Sequence, residues 1–162
     1  MNAVNIETSN LRLVLQTPEI IRTQIGAMAP EEKAELSADW LALVSNATSA
    51  DPWIHGFELI QRKSGAVVGN CGFKGPPTTD GIVEIAYGID PDHEGNGYAT
   101  EAAEALVSFA FGNQPVRTVR AHTLPEPNAS TRVLVKCGFR KVDEVVDPDD
   151  GLVWRWERCD EP

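Results

Sequence analysis

Two glycines one residue apart, Gly95 and Gly97, stand between a run of alternating apolar residues and an alanine-rich run. Glycine there permits a tight turn and a close approach by a ligand. The stretch Glu94-Gly95-Asn96-Gly97-Tyr98-Ala99-Thr100 would bring bare backbone N–H groups to a helix N-terminus. Such a turn is an anion site, and phosphate is its usual anion. A dinucleotide fingerprint would need a third glycine where Thr100 stands, and no Gly-Lys-Ser/Thr follows for a P-loop. Taken alone, the turn is also what an ordinary strand-to-helix connection looks like. The three histidines, His55, His93 and His122, do not cluster, and the three cysteines follow no metal-ligand spacing, so no metal site is expected.

The elements that must position this turn follow from periodicity. Residues 82–90 alternate as a strand, with Val83, Ile85, Tyr87 and Ile89 on one face and Glu84, Ala86 and Gly88 on the other. Beyond the turn, Ala99, Ala103, Leu106 and Ala110 form one helical stripe, with Glu101, Glu104 and Ser108 opposite. Upstream, residues 1–10 read as loosely held apart from an edge role for Ile6, and residues 11–15 as a first strand. A helix follows with Thr17 as N-cap and Pro18 at its first position. A second helix after Pro30 would carry Leu36, Trp40, Leu41 and Val44, and 46–52 would be a polar loop beside a substrate mouth. Trp40 and Trp53 flank that loop as mouth or packing residues. Strands at 54–62 and 66–74 would form a hairpin through Lys63-Ser64-Gly65. Downstream come a strand at 116–123, with Val119 and Ala121 inward, and a short helix at 128–136, capped by Asn128 or Ser130 and closed by Gly138. A hairpin at 139–146 and 152–158 turns around residues 147–151. With no repeat or linker, the chain reads as one domain, 1–162, of mixed α/β class with a partly antiparallel sheet flanked by helices.

At 162 residues the chain is long enough for a substantial core. Twenty-four acidic against fourteen basic residues give a net charge of −10, which argues against nucleic acid as a partner. It suits a cationic or amine-bearing substrate, or simply solubility. No apolar run approaches a membrane span, and an odd number of cysteines with no signal-like N-terminus points to a reducing, cytoplasmic setting.

The run Tyr87-Gly88-Ile89-Asp90-Pro91, then Gly95-Asn96-Gly97-Tyr98-Ala99-Thr100-Glu101-Ala102, resembles the acetyl-CoA motif of the GNAT N-acetyltransferase superfamily. More narrowly it resembles the branch that acetylates ribosomal-protein N-termini. Ala129-Ser130-Thr131-Arg132-Val133-Leu134, with Lys136-Cys137-Gly138-Phe139, is similar to that branch's second signature, and Leu11-Arg12-Leu13 to its first strand. The resemblance spans nearly the whole chain. It implies a GNAT-like sheet with a V-shaped splay between the central strands, acetyl-CoA as co-substrate, a primary amine as acceptor, and pairing as homodimers. It implies that the turn's N–H groups hold the CoA pyrophosphate and that Gly88 and Ile89 backbone groups pair with the pantetheine arm. Asn128 lies one residue from the family's CoA-contacting asparagine. Where the family carries a basic or amide residue, this chain has Glu94.

Acetyl transfer needs a neutral amine, a polarised thioester carbonyl and a proton for the departing thiolate. Glu84 is the candidate base, and its alternative is a surface carboxylate. The tyrosine that many superfamily members use as acid falls here on Leu134. Ser130 has two candidate roles, orienting or protonating the thiolate and capping its helix. The expected activity is acetylation of a protein N-terminal α-amine. A small-molecule amine acetyltransferase and a non-catalytic acyl-CoA-binding module are the alternatives.

Overall fold

The computed structural model describes residues 5–113, 115–148 and 151–160. In chain order these form β1 (Asn5–Glu7), β2 (Leu11–Leu15), α1 (Pro18–Gly26), α2 (Pro30–Ala34), α3 (Ala38–Asn46), β3 (Phe57–Gln61), β4 (Val67–Phe73) and β5 (Ile82–Ile89). After a 3₁₀ turn, Pro91–His93, come α4 (Tyr98–Phe111), β6 (Thr118–Thr123), α5 (Ala129–Lys136), β7 (Arg140–Asp147) and β8 (Gly151–Cys159).

All described strands join one sheet in the order β1-β2-β3-β4-β5-β6-β8-β7. Every pairing is antiparallel except β5 with β6, which is parallel and connected through α4. The parallel ladder covers only Ile82↔Thr118, Val83↔Val119 and Glu84↔Arg120. Beyond it β5 runs on to Ile89 beside β4, and β6 runs on to Thr123 beside β8. The two halves of the sheet therefore diverge after Glu84, which is the expected V-shaped splay.

The central helix is buried more widely than a single stripe. Ala102, Ala103, Leu106 and Ala110 are fully buried, and Tyr98, Ala105 and Val107 nearly so. It packs against both the sheet and α5, and its alanines let both neighbours approach closely. Glu101, expected on the outer face, instead accepts hydrogen bonds from the Thr8 hydroxyl and from the Asn10 N–H (2.9 Å) and side-chain amide (3.0 Å). That clasp fixes the β1–β2 turn against α4. Ile6 takes its edge role in β1, opposite Leu13.

Other boundaries differ from the sequence reading for local reasons. The helix expected after Pro30 is two helices, because the Ser37 hydroxyl caps the second one by accepting the Trp40 N–H at 3.3 Å. The strand expected from residue 54 begins at Phe57. Asp51 gathers the preceding residues into a turn: its carbonyl accepts the N–H groups of Ile54 and His55, and its carboxylate accepts that of Trp53. Thr17 caps α1 as expected. Gly138, at φ +83°, ends α5 with Phe139 N–H on the Leu134 carbonyl and Gly138 N–H on that of Val135. Within the turn expected at 147–151, residues 149 and 150 lie outside the described residues, as do residues 1–4. No helix among the described residues is long and apolar enough to cross a membrane.

Candidate active site

The glycine turn leaves its backbone N–H groups open. Gly95 and Gly97 have φ of +81° and +80°, a left-handed backbone that side chains resist. Nothing lies within 4 Å of where a Cβ would stand on either, so the space over the turn is open. Asn96 braces the loop from within, donating from its side-chain amide to the His93 carbonyl at 2.9 Å. Gly97 is the N-cap of α4 and offers no side chain to the helix. Among the described residues, the N–H groups of Gly95, Asn96, Gly97, Tyr98, Ala99 and Thr100 meet no acceptor. Six bare donors in succession, aimed at a helix N-terminus, fit a pyrophosphate. The Tyr98 ring is buried with its hydroxyl on the Gln61 amide, so this residue offers only its backbone. Glu94 is exposed and makes no ion pair among the described residues, with Arg132 or any other cation.

The splay supplies the channel leading from that cradle. Lys74 N–H bonds the Glu84 carbonyl and Asp90 N–H bonds the Val68 carbonyl, so the even-numbered residues of β5 face β4. The odd-numbered residues, Tyr87 and Ile89, therefore turn their N–H and C=O groups into the gap where β6 has departed. Ile89 thus has backbone groups on the gap side, where the sequence reading expected the pantetheine arm. Gly88 has its backbone turned to Asn70 on β4, and what it gives the gap is open space where a side chain would stand.

At the helix side of the gap, Asn128 rather than Ser130 caps α5. Asn128 Oδ1 accepts the Thr131 N–H at 3.0 Å, and Thr131 Oγ1 accepts the Asn128 N–H in return. The cap is Asn128 because its extended backbone places Oδ1 over the third N–H of the helix, while Ser130 already lies inside the first turn. Ser130 is thereby released, and its Oγ lies 3.1 Å from the Tyr87 hydroxyl. Burial pushes the Tyr87 phenol above its ordinary 10, against the Ser130 hydrogen bond that favours ionisation. Leu134 is fully buried.

On the opposite face of β5, at the last rung before the splay, Glu84 is clamped. Its Oε2 lies 2.9 Å from His122 Nδ1 and 3.1 Å from Lys74 Nζ. Arg155 Nε donates to His122 Nε2 at 3.1 Å. Since Arg Nε carries a hydrogen, His122 Nε2 is the bare nitrogen and Nδ1–H donates to Glu84. Burial pushes the Glu84 carboxyl up, but the His122 hydrogen bond and the Lys74 charge outweigh it and hold the group below its ordinary 4.5. Both partners meet Oε2, and among the described residues Oε1 has no hydrogen-bond partner.

His55 is buried and structural, with Nδ1 accepting the Asp51 N–H at 2.9 Å. Trp53 packs edge-on against Phe73 and Phe109, and Trp40 donates to the Ile54 carbonyl at 2.8 Å, so both serve packing. No group of three or more His, Cys, Asp or Glu residues among the described ones is placed to hold a metal.

Residues 7–140 match the family model described as the acetyltransferase (GNAT) domain. The chain belongs to this family. Among curated relatives, the uncharacterized N-acetyltransferase p20 of Bacillus licheniformis is 27% identical over 124 residues, 76% of this chain and 68% of p20. The uncharacterized N-acetyltransferase YjdG of Bacillus subtilis is 30% identical over 89 residues, about half the length of each. Among solved structures, the ribosomal L7/L12 α-N-protein acetyltransferase RimL in complex with coenzyme A superposes with a TM-score of 0.70 at 13% identity, covering 96% of this chain and 98% of that one. A chimera of the Vibrio cholerae spermidine N-acetyltransferase SpeG with hSSAT gives 0.67 at 16% identity, covering 93% and 96%. The GNAT enzyme thus has acetyl-CoA as its family co-substrate, and the bare cradle, the open glycines and the splay fit that molecule. Tyr87 at Ser130, and the clamp of Lys74, His122 and Arg155 on Glu84, escaped the sequence reading. Residues far apart in the chain form them, and only the parity of Tyr87 and Glu84 along β5 hinted that the two lie on opposite faces.

Proposed function

We propose that this GNAT enzyme acetylates a primary amine, by preference a protein N-terminal α-amine, with Glu84 receiving it. The observation that carries the reading is the clamp on Glu84 at the mouth of the splay. An ionised carboxylate with one oxygen anchored and Oε1 open binds an incoming ammonium group and orients it toward the thioester. A carboxyl held below 4.5 adds little basicity, so the acceptor's own pKa decides the cost of reaching the neutral nucleophile. At pH 7 that cost is about 1.4 kcal/mol for an α-amine near 8 and about 4.6 kcal/mol for a lysine-like amine near 10.4. The difference favours the α-amine. The net charge of −10 favours a second reading, a small cationic amine such as spermidine.

Released thiol, measured with acetyl-CoA and a panel of N-terminal peptides, ε-amine peptides and spermidine, separates these readings. The α-amine peptides are expected to give the highest kcat/KM at pH 7. Higher kcat/KM for spermidine would replace the first reading with the second, and no turnover with any amine would leave a binding module. Glu84→Gln is expected to lower kcat ~10²-fold or more. Because Glu84 is ionised throughout pH 6–9, the acidic limb of the rate profile belongs to the acceptor and is expected to keep its midpoint in that variant. A limb that disappears with Glu84→Gln would assign it to Glu84 instead.

A further inference from the structure

The acetyl-transfer reading leaves the departing thiolate without an assigned acid, because Leu134 occupies the helix position where one was sought. The groups lining the helix side of the splay can be sorted by their commitments. Thr131 is tied into the Asn128 cap. The Cys137 thiol donates to the Thr100 carbonyl at 3.7 Å, and burial pushes it up to about 12. Tyr87 and Ser130 remain, two hydroxyls meeting at 3.1 Å across the gap between β5 and the first turn of α5. Ser130 is not the cap, and among the described residues its Oγ meets only the Tyr87 hydroxyl, which also reaches the Ser130 carbonyl at 3.4 Å. Tyr87 stands three residues past the end of the β5–β6 ladder, on the face opposite Glu84. A thioester lying in the splay would have the ammonium-binding carboxylate on one side and the phenol on the other. That is the disposition that attack and departure require.

We propose that Tyr87 is the proton donor to the CoA thiolate, with Ser130 Oγ as the group that resupplies it. The proposal rests on the acetyl-transfer reading above. The acceptor nitrogen bonds the acetyl carbon as the carbon–sulfur bond breaks and its electron pair stays on sulfur. Tyr87 gives sulfur a proton, and Ser130 passes one back, drawing on solvent at the start of α5. The acceptor nitrogen gives up two protons on the Glu84 side, one to become the neutral nucleophile and one as the amide forms. With one proton delivered to sulfur, each turnover releases one proton to solvent. A phenol is protonated at neutral pH, and burial moves this one further in that direction, so the donor is loaded at each turnover. The same chemistry gives the phenol a preference for a bound thiolate over a ligand lacking sulfur.

The test pairs turnover with binding, using Tyr87→Phe, which keeps the ring that packs on the core. Its kcat is expected to fall ~10²-fold with acetyl-CoA affinity unchanged within twofold. Ser130→Ala should fall less, and the double variant no further than Tyr87→Phe alone. Independently, calorimetry above the thiol pKa compares CoA with desulfo-CoA. The preference for CoA is expected to shrink at least tenfold in Tyr87→Phe, as for loss of a hydrogen bond to a charged group. If that preference is the same in both proteins, Tyr87 does not meet the sulfur and the proposal falls, even where amines turn over normally. If the preference shrinks while the wild-type protein acetylates nothing, Tyr87 stays at the sulfur and the transfer reading falls instead. A Tyr87→Phe protein with kcat within twofold of wild type also overturns it.

Discussion

Glu94 is the residue at which this chain departs from the motif it otherwise follows. It is exposed, it sits one residue before the bare donors of the cradle, and nothing basic pairs with it among the described residues. A unit charge ~7 Å from a phosphate at an effective dielectric of ~40 contributes about 1 kcal/mol. Glu94→Arg exchanges repulsion for attraction and is expected to tighten acetyl-CoA binding by up to ~30-fold at low salt. Glu94→Gln should fall midway, and both effects should shrink at high salt because the site is wet. Equal affinities for all three proteins at low salt would show that Glu94 points away from the ligand. Glu84 illustrates the converse case, a residue legible by type and strand face whose protonation state depended on neighbours. His122 comes from β6 and Lys74 from just past the end of β4, and no spacing in the chain ties either to Glu84.

The proposed cofactor site concentrates on the connection from β5 to α4. Its glycines are conformational rather than steric requirements in the free protein, since open space surrounds both Cβ positions. Gly97→Val forces a β-branched residue into a left-handed backbone, at a cost of about 1–2 kcal/mol, and fills the space a pyrophosphate would use. Loss of acetyl-CoA binding in a folded Gly97→Val protein, read by calorimetry, is the expected outcome. Unchanged affinity would remove the cofactor from this turn. Helix α5 shows how a cap redirects function. With Asn128 satisfying Thr131, the serine two residues on, within the first turn, is left to meet Tyr87. The sequence offered Asn128 and Ser130 as equivalent caps, and the extended backbone at Asn128 decided between them.

Across the whole molecule, the Glu101 clasp joins the β1–β2 turn to the central helix over more than ninety residues of chain. Burial raises the Glu101 pKa, but hydrogen bonds from Thr8 and Asn10 outweigh it, leaving the group below 4.5 in the folded protein. A depressed carboxyl stabilises the fold above its unfolded pKa, and that contribution is lost as pH falls through the lower folded value. Glu84 acts with the same sign. Thermal midpoints are therefore expected to drop as pH falls below 4.5, and Glu101→Gln should flatten that drop while lowering the midpoint at pH 7. A Glu101→Gln protein with the wild-type acid profile would remove the clasp from the stability balance. The strand alternation of 82–90, the glycine turn, the alanine-rich helix and the Gly138 stop were legible in the chain because each is set by local backbone preference and period. The splitting of the second helix, the start of β3 and the wide burial of α4 were not, because Ser37, Asp51 and packing on two sides settled them. The sequence by itself determined the fold family and the glycine turn that carries the proposed anion site. Tertiary structure alone decided which oxygen of Glu84 is open, which nitrogen of His122 carries the proton, and that a strand tyrosine reaches the helix serine. Those properties are distances between residues remote in the chain, and local patterning does not encode them.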